Sequence, residues 1–139
     1  MTKIVLGARP KNFKREVTFK LHEGGNGTIV VTYKYRTRSE YGAFVDERVK
    51  ASKEAAQSAI EAAIAAAEAG SVVDTGMQVL LDKSAADNVA FILDAVEGWN
   101  LDAPYGRPSV EQLADELPQA VLAIIENYRV ACTEGRLGN

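Results

Sequence analysis

Two residue types that catalytic sites use as base and nucleophile occur once each in this 139-residue chain: His22, its one histidine, and Cys132, its one cysteine. Nucleophilic catalysis needs a base within hydrogen-bond reach of the nucleophile. His22 falls on the polar side of an alternating segment with no nucleophile near it in sequence, which reads as a surface strand histidine. Cys132 falls on an apolar helix face, where a thiol acts as a small core residue and stays inert. The glycine-rich "EGGNG" at 23–27 lacks the lysine and the following helix of a phosphate loop, and turn formation accounts for it. Asp94, Glu97 and Asp102 gather near Trp99, and paired carboxylates can hold Mg²⁺ or exchange protons. Asp87, Glu111, Asp115 and Glu116 make the whole neighbourhood equally acidic, the pattern of a solvated face. No catalytic, cofactor or metal residue is assigned on this reading. A metal-assisted enzyme at the acidic corner is the weaker rival. Trp99, the one tryptophan, is either core or a partner anchor, because an indole combines a large apolar body with an N–H that seeks an acceptor.

The elements that must position these residues follow from periodicity. Val17, Phe19 and Leu21 alternate with Thr18, Lys20 and His22; Ile29, Val31, Tyr33 and Tyr35 alternate with polar residues and Val30. Period-two patterning on both sides of a glycine-rich turn predicts an antiparallel hairpin at about 16–36. "KIVL" at 3–6 offers a further strand. Thr37 with Glu40 makes a capping box, and Tyr41, Phe44, Val45 and Val49 then recur at helical spacing. The alanine-rich run with Ile60, Ile64 and Ala67 continues that helix to about 69, where Gly70 stops it. So much alanine means that another backbone lies very close, or that one side is lightly packed. A short strand or a helical turn both fit 77–81. Ser84 with Asp87 is expected to cap a helix through Val89, Ile92, Leu93 and Val96, ended by Gly98-Trp99. Ser109 with Gln112 is expected to cap a short helix bearing Val110 and Leu113. Pro118 suits the first turn of a last helix, whose apolar face is Val121, Leu122, Ile125, Tyr128 and Cys132. The fold class is therefore α+β: a single domain over 1–139, with a basic β-hairpin part at about 1–36 and a mainly helical part at about 37–139.

Composition bounds the rest. At 47% hydrophobic and 25% charged residues the chain has an ordinary globular make-up, and no apolar run approaches the ~20 residues of a membrane-spanning helix. A lone cysteine excludes an internal disulfide and a multi-cysteine zinc site, which points to an intracellular address. Residues 1–50 carry 11 Lys/Arg against 5 Asp/Glu, while residues 51–139 carry 5 against 14. The basic end raises the alternative of a small nucleic-acid-binding regulator using the hairpin. Its charges alternate with strand positions, as a solvated sheet face would show.

The segment 91–139, "FILDAVEGWNLDAPYGRPSVEQLADELPQAVLAIIENYRVACTEGRLGN", resembles the C-terminal half of tail assembly chaperones of long-tailed bacteriophages and prophages. The matching residues are Gly98, Trp99, Asp102, Ser109, Leu113, Pro118, Tyr128, Arg136 and Asn139. The strand-to-helix junction at 33–44 resembles that family's first half. The chain departs from the pattern at Gly138, where a lysine is common, and in the "PYGRP" of its loop. The resemblance implies a non-enzymatic role without cofactors. Such a protein binds the helical tape-measure protein, and possibly tail tube subunits, in the host cytoplasm and is absent from the finished particle. On that reading the partner surface is expected around Trp99, Leu113, Val121, Ile125 and Tyr128, with homo-oligomers possible and neither membrane nor nucleic acid as partner.

Overall fold

The computed structural model describes residues 6–7, 9–70 and 77–135. The order of elements is β1 (Asn12–Lys20), β2 (Asn26–Lys34), α1 (Arg38–Glu68), α2 (Met77–Ala95), β3 (Val96–Trp99), α3 (Arg107–Glu116) and α4 (Pro118–Thr133). The architecture is α+β: three antiparallel strands in the order β1-β2-β3, with one sheet face covered by helices.

The hairpin forms where its alternation places it. Val17 pairs with Ile29 and Phe13 with Tyr33, so the apolar residues of both strands share the helix-covered face. Leu21 and Gly25 close the turn through a backbone bond of 2.7 Å. Two of its glycines are needed for different reasons. Gly24 adopts φ +96°, which side chains resist. Gly27 lies directly under Phe19, whose ring a Cβ there would meet at 2.9 Å. His22 lies in the turn rather than on β1, and its Nε2 is 3.3 Å from the Glu116 carbonyl oxygen. Of "KIVL", residues 3–5 lie outside the described residues, and Leu6 is an exposed turn residue.

Helix α1 begins with the expected capping box: Thr37 Oγ1 accepts from the Glu40 amide, and the Glu40 carboxylate accepts from the Thr37 amide. Arg9 also pairs with Glu40, and these contacts hold its carboxyl below the usual carboxylate range. Gly70, at φ +83°, follows the end of the helix.

Three expected boundaries move. Helix α2 starts at Met77, so Ser84 and Asp87 lie inside it and cap nothing; a capping pattern works only where the preceding backbone is not already helical. Helix α3 starts at Arg107, with Ser109 in its first turn, where the hydroxyl lies 3.1 Å from the Gly106 amide and 2.6 Å from the Pro104 carbonyl oxygen. Gln112 bonds Glu116 instead of serving a cap. The largest change is at Val96–Trp99, expected as the end of a helix and found as the third strand. Val31 pairs with Trp99 and Tyr33 with Val96, and Glu97 is skipped by a register shift. That bulge puts residues three apart in sequence on one sheet face, so a strand carries a helix-like spacing. Asn100 prolongs the pairing: its amide donates to the Val30 carbonyl, and its Oδ1 accepts from the Val30 amide.

The core centres on Tyr128 of α4, which is fully buried. Its ring stacks on Tyr33 of β2 at 5.0 Å and lies 6.3 Å from Phe13 of β1. Tyr41 and Phe44 of α1 and Phe91 of α2 meet it edge-on. Its hydroxyl donates to the Lys34 carbonyl at 3.0 Å and accepts from Arg36 at 2.9 Å. The Arg36 guanidinium in turn lies 4.0 Å from the Phe44 ring centre. Tyr33 donates to the Ile124 carbonyl at 2.9 Å. On α4 the buried face is Ala120, Val121, Ile124, Asn127 and Tyr128. Leu122, expected on that face, is exposed, and Ile124 takes its place.

Two measurements test this centre. Tyr128→Phe keeps the ring and deletes both hydroxyl bonds, one of them to a charged group; it should cost about 2 kcal/mol in urea unfolding. Burial pushes the hydroxyls of Tyr128 and Tyr105 up to about 12 from the usual 10.0. A raised pKa means that the folded state keeps protons the unfolded chain has released. The resulting stability is whole below pH 10 and should fall as pH rises from there to about 12. Unfolding free energies measured across that window should decline, and a flat profile would contradict the burial of these hydroxyls.

Candidate partner-binding surface

The corner around Trp99 is built by α2, β3 and the loop to α3. Strand β3 turns Trp99 toward the helix-covered face of the sheet, where the indole is half-buried. Its Nε1 donates to the Ala103 carbonyl at 2.8 Å, closing the loop on itself. Tyr105 stands edge-on to the indole at 5.1 Å. The Tyr105 hydroxyl lies 2.9 Å from the Val96 carbonyl, at the start of β3, and 3.2 Å from that of Ile92, in the last turn of α2. The proline-bearing loop is thus a clamp on the helix-to-strand switch, and Trp99 is its bolt.

The acidic corner is not a cluster. Asp94 pairs with Arg48 of α1 at 3.3 Å, Glu97 accepts from Asn12 at 2.8 Å, and Asp102 is exposed. Among the described residues no group of three His, Cys, Asp or Glu stands where it could hold a metal ion. The Cys132 thiol is half-buried and pushed up by that burial, so little of it is thiolate. On the hairpin, Lys14, Glu16 and Lys20 point to solvent on the open sheet face, a mixture of signs. Arg15 points the other way and lies 4.9 Å from the Phe13 ring centre.

The five residues expected at a partner surface separate by depth. Leu113, Val121 and Tyr128 are in the core at 8%, 1% and 0% exposure, and they hold the fold from inside. Ile125 and Trp99 are half-buried at the margin. The apolar side chains that do reach solvent lie elsewhere on the helices. On α4, Leu122 is 58% exposed, one turn before Ile125. On α1, Tyr41, Phe44 and Val45 enter the core, and Arg48 is tied to α2. Beyond that point Val49, Ile60 and Ile64 are all about half exposed. The sequence set Val49 with Tyr41, Phe44 and Val45, and Ile60 and Ile64 with Ala67; what it lacked was a sign that, among the described residues, these side chains stay about half exposed.

Among the described residues, this small α+β fold carries exposed apolar side chains on α1 and α4. The family model for phage tail assembly chaperones matches residues 1–139, the whole chain, and the protein belongs to that family. No curated protein and no solved structure matches it. Membership of a chaperone family points to a non-enzymatic protein with phage tail proteins as partners. No helix of the described residues is long and apolar enough to cross a membrane.

The half-buried indole makes a graded prediction. Trp99→Ala should cost about 2–3 kcal/mol, less than the 3–5 typical of a wholly buried aromatic residue. Urea unfolding followed by circular dichroism measures it. Unchanged stability would show that the indole does not hold the corner.

Proposed function

We propose that this protein is a non-enzymatic chaperone that binds helical segments of the tape-measure protein and keeps them soluble while the tail tube assembles around them. The observation that carries this reading is on α4, where among the described residues Leu122 is 58% exposed, one turn before the half-buried Ile125. A tape-measure helix carries an apolar stripe that self-associates unless another apolar surface shields it. A helix face with apolar residues three apart, resting on a rigid core, can shield it by helix-to-helix packing. Ile125 contributes the margin of this surface, and Val121 and Tyr128 hold α4 on the core. Binding by such a surface needs no nucleotide, metal or other cofactor, and it suits action in the host cytoplasm before the particle is complete.

Co-expression tests it. The wild-type protein should keep a cognate tape-measure segment soluble and co-purify with it. Leu122→Glu should lose that effect while its unfolding free energy stays within about 0.5 kcal/mol of wild type, as expected of an exposed site. A segment that precipitates equally with and without the protein, at matched expression, would sink the proposal.

A further inference from the structure

We propose that the outer edge of β1 receives an extended, acidic segment of a partner protein as an added strand of the sheet. The inference concerns a strand edge rather than the exposed side chains of α4, and it does not rest on tape-measure binding. Among the described residues β1 pairs with β2 alone, over all 9 of its residues and without a break in register. The direction of its backbone groups follows from the far side of β2. The Val30 carbonyl accepts from the Asn100 amide, and the Val30 amide donates to Asn100 Oδ1, so both groups of Val30 turn toward β3. In an antiparallel ladder, the residue opposite such a position turns its own amide and carbonyl to the other side. Glu16 is that residue, and alternation adds Lys14, Thr18 and Lys20. Their amides and carbonyls form the outer edge of the sheet. Two of the carbonyls are engaged at its ends: Arg15 Nη1 donates to that of Lys14 at 2.9 Å, and Gln119 of α4 donates to that of Lys20 at 2.9 Å. Between them, the amides and carbonyls of Glu16 and Thr18 form no hydrogen bond with another described residue. An extended peptide pairs with such a row through its own backbone.

Charge decides which peptide. Sheet edges are kept from pairing by shortness, bulges, proline, a covering element or charge. Strand β1 is long, regular and free of proline, so its protection is charge. That charge is one-sided: Lys14, Arg15 and Lys20 stand against Glu16, and among the described residues none of the three cations is in an ion pair. Arg15 lies on the helix-covered face, its guanidinium 4.9 Å from the Phe13 ring centre, and its buried Nε makes no hydrogen bond. A basic strand meets this edge as like charge. An acidic one sets carboxylates opposite Lys14 and Lys20 on the open face and beside Arg15 on the other, where a guanidinium and a carboxylate make charge-assisted bonds. On the covered face its remaining side chains fall beside Val17 and Phe19, so apolar residues belong there. The edge thus selects an acidic segment with apolar residues alternating inward.

A synthetic peptide as long as β1 tests this on the full chain. Antiparallel to β1, it carries glutamates opposite Lys14, Arg15 and Lys20, valines opposite Val17 and Phe19, and threonines elsewhere. Fluorescence anisotropy should show binding that weakens with added salt and falls about tenfold or more when the glutamates become lysines. Lys14→Glu with Lys20→Glu should reverse that preference and keep the circular dichroism of the folded chain. Backbone pairing is read separately, on the unaltered protein. N-methylation of the peptide residue opposite Glu16 removes an amide that donates to β1, and it should abolish binding. N-methylation opposite Val17 falls on an amide turned away from β1, and it should leave binding in place. Equal binding of the glutamate and lysine peptides, or equal effects of the two N-methyl groups, overturns the proposal. So does a glutamate peptide that stays unbound at high micromolar protein. A chain that binds this peptide yet solubilises no tape-measure segment refutes the α4 reading alone.

Discussion

Almost every element of this fold is held to one side chain. Tyr128 is on the last helix, yet its ring is packed by Phe13 and Tyr33 from the sheet, Tyr41 and Phe44 from α1, and Phe91 from α2. An aromatic ring suits that place because stacked and edge-on neighbours each gain from its quadrupole as well as from lost water. The hydroxyl adds direction. By joining the Lys34 carbonyl and Arg36 it fixes the place where β2 ends and the chain turns into α1. Arg36 is itself shared among Tyr128, the Asp94 carbonyl and the face of Phe44. The hairpin, the long helix and the C-terminal helices are thus aligned by a small polar network inside an aromatic cluster.

That alignment explains why the arm stands clear. The aromatic residues of α1 are confined to its first two turns, and among the described residues the Arg48–Asp94 pair is the last ion pair that ties it to the body. After it the sequence supplies alanine, lysine and glutamate, residues that sustain a helix without demanding burial. The helix continues because its propensity is high, while the packing that usually stabilises a helix has ended. Val49, Ile60 and Ile64 on this rod are left about half exposed.

Two further ties brace the far end of the molecule. Gln119 donates to the Lys20 carbonyl at the start of α4, and His22 meets the Glu116 carbonyl at the end of α3. The hairpin tip is thereby pinned at the α3–α4 junction, and the sheet presents its apolar face squarely to α4. The one histidine thus ties the hairpin turn to the end of α3.

The sequence by itself determined the α+β class, the hairpin, the capped start and glycine stop of α1, and the proline start of α4. Each rests on a local cause: alternation for strands, a reciprocal side-chain cap for α1, a missing amide for α4. The resemblance at 33–44 and 91–139 also led to the family that the whole chain matches. Only the tertiary structure decided the third strand, because Val-Glu-Gly-Trp has no strand preference strong enough to outweigh the helical spacing before it. The free edge of β2 and the bulge at Glu97 make it a strand. The candidate surface was hidden for a related reason. Leu122 and Ile124 are alike in hydrophobicity and two residues apart on one helix, and the sheet lies on the side of Ile124. Which apolar residue is buried and which faces a partner depends on the rotation of a helix against its neighbours, and periodicity alone leaves that rotation undefined within a turn.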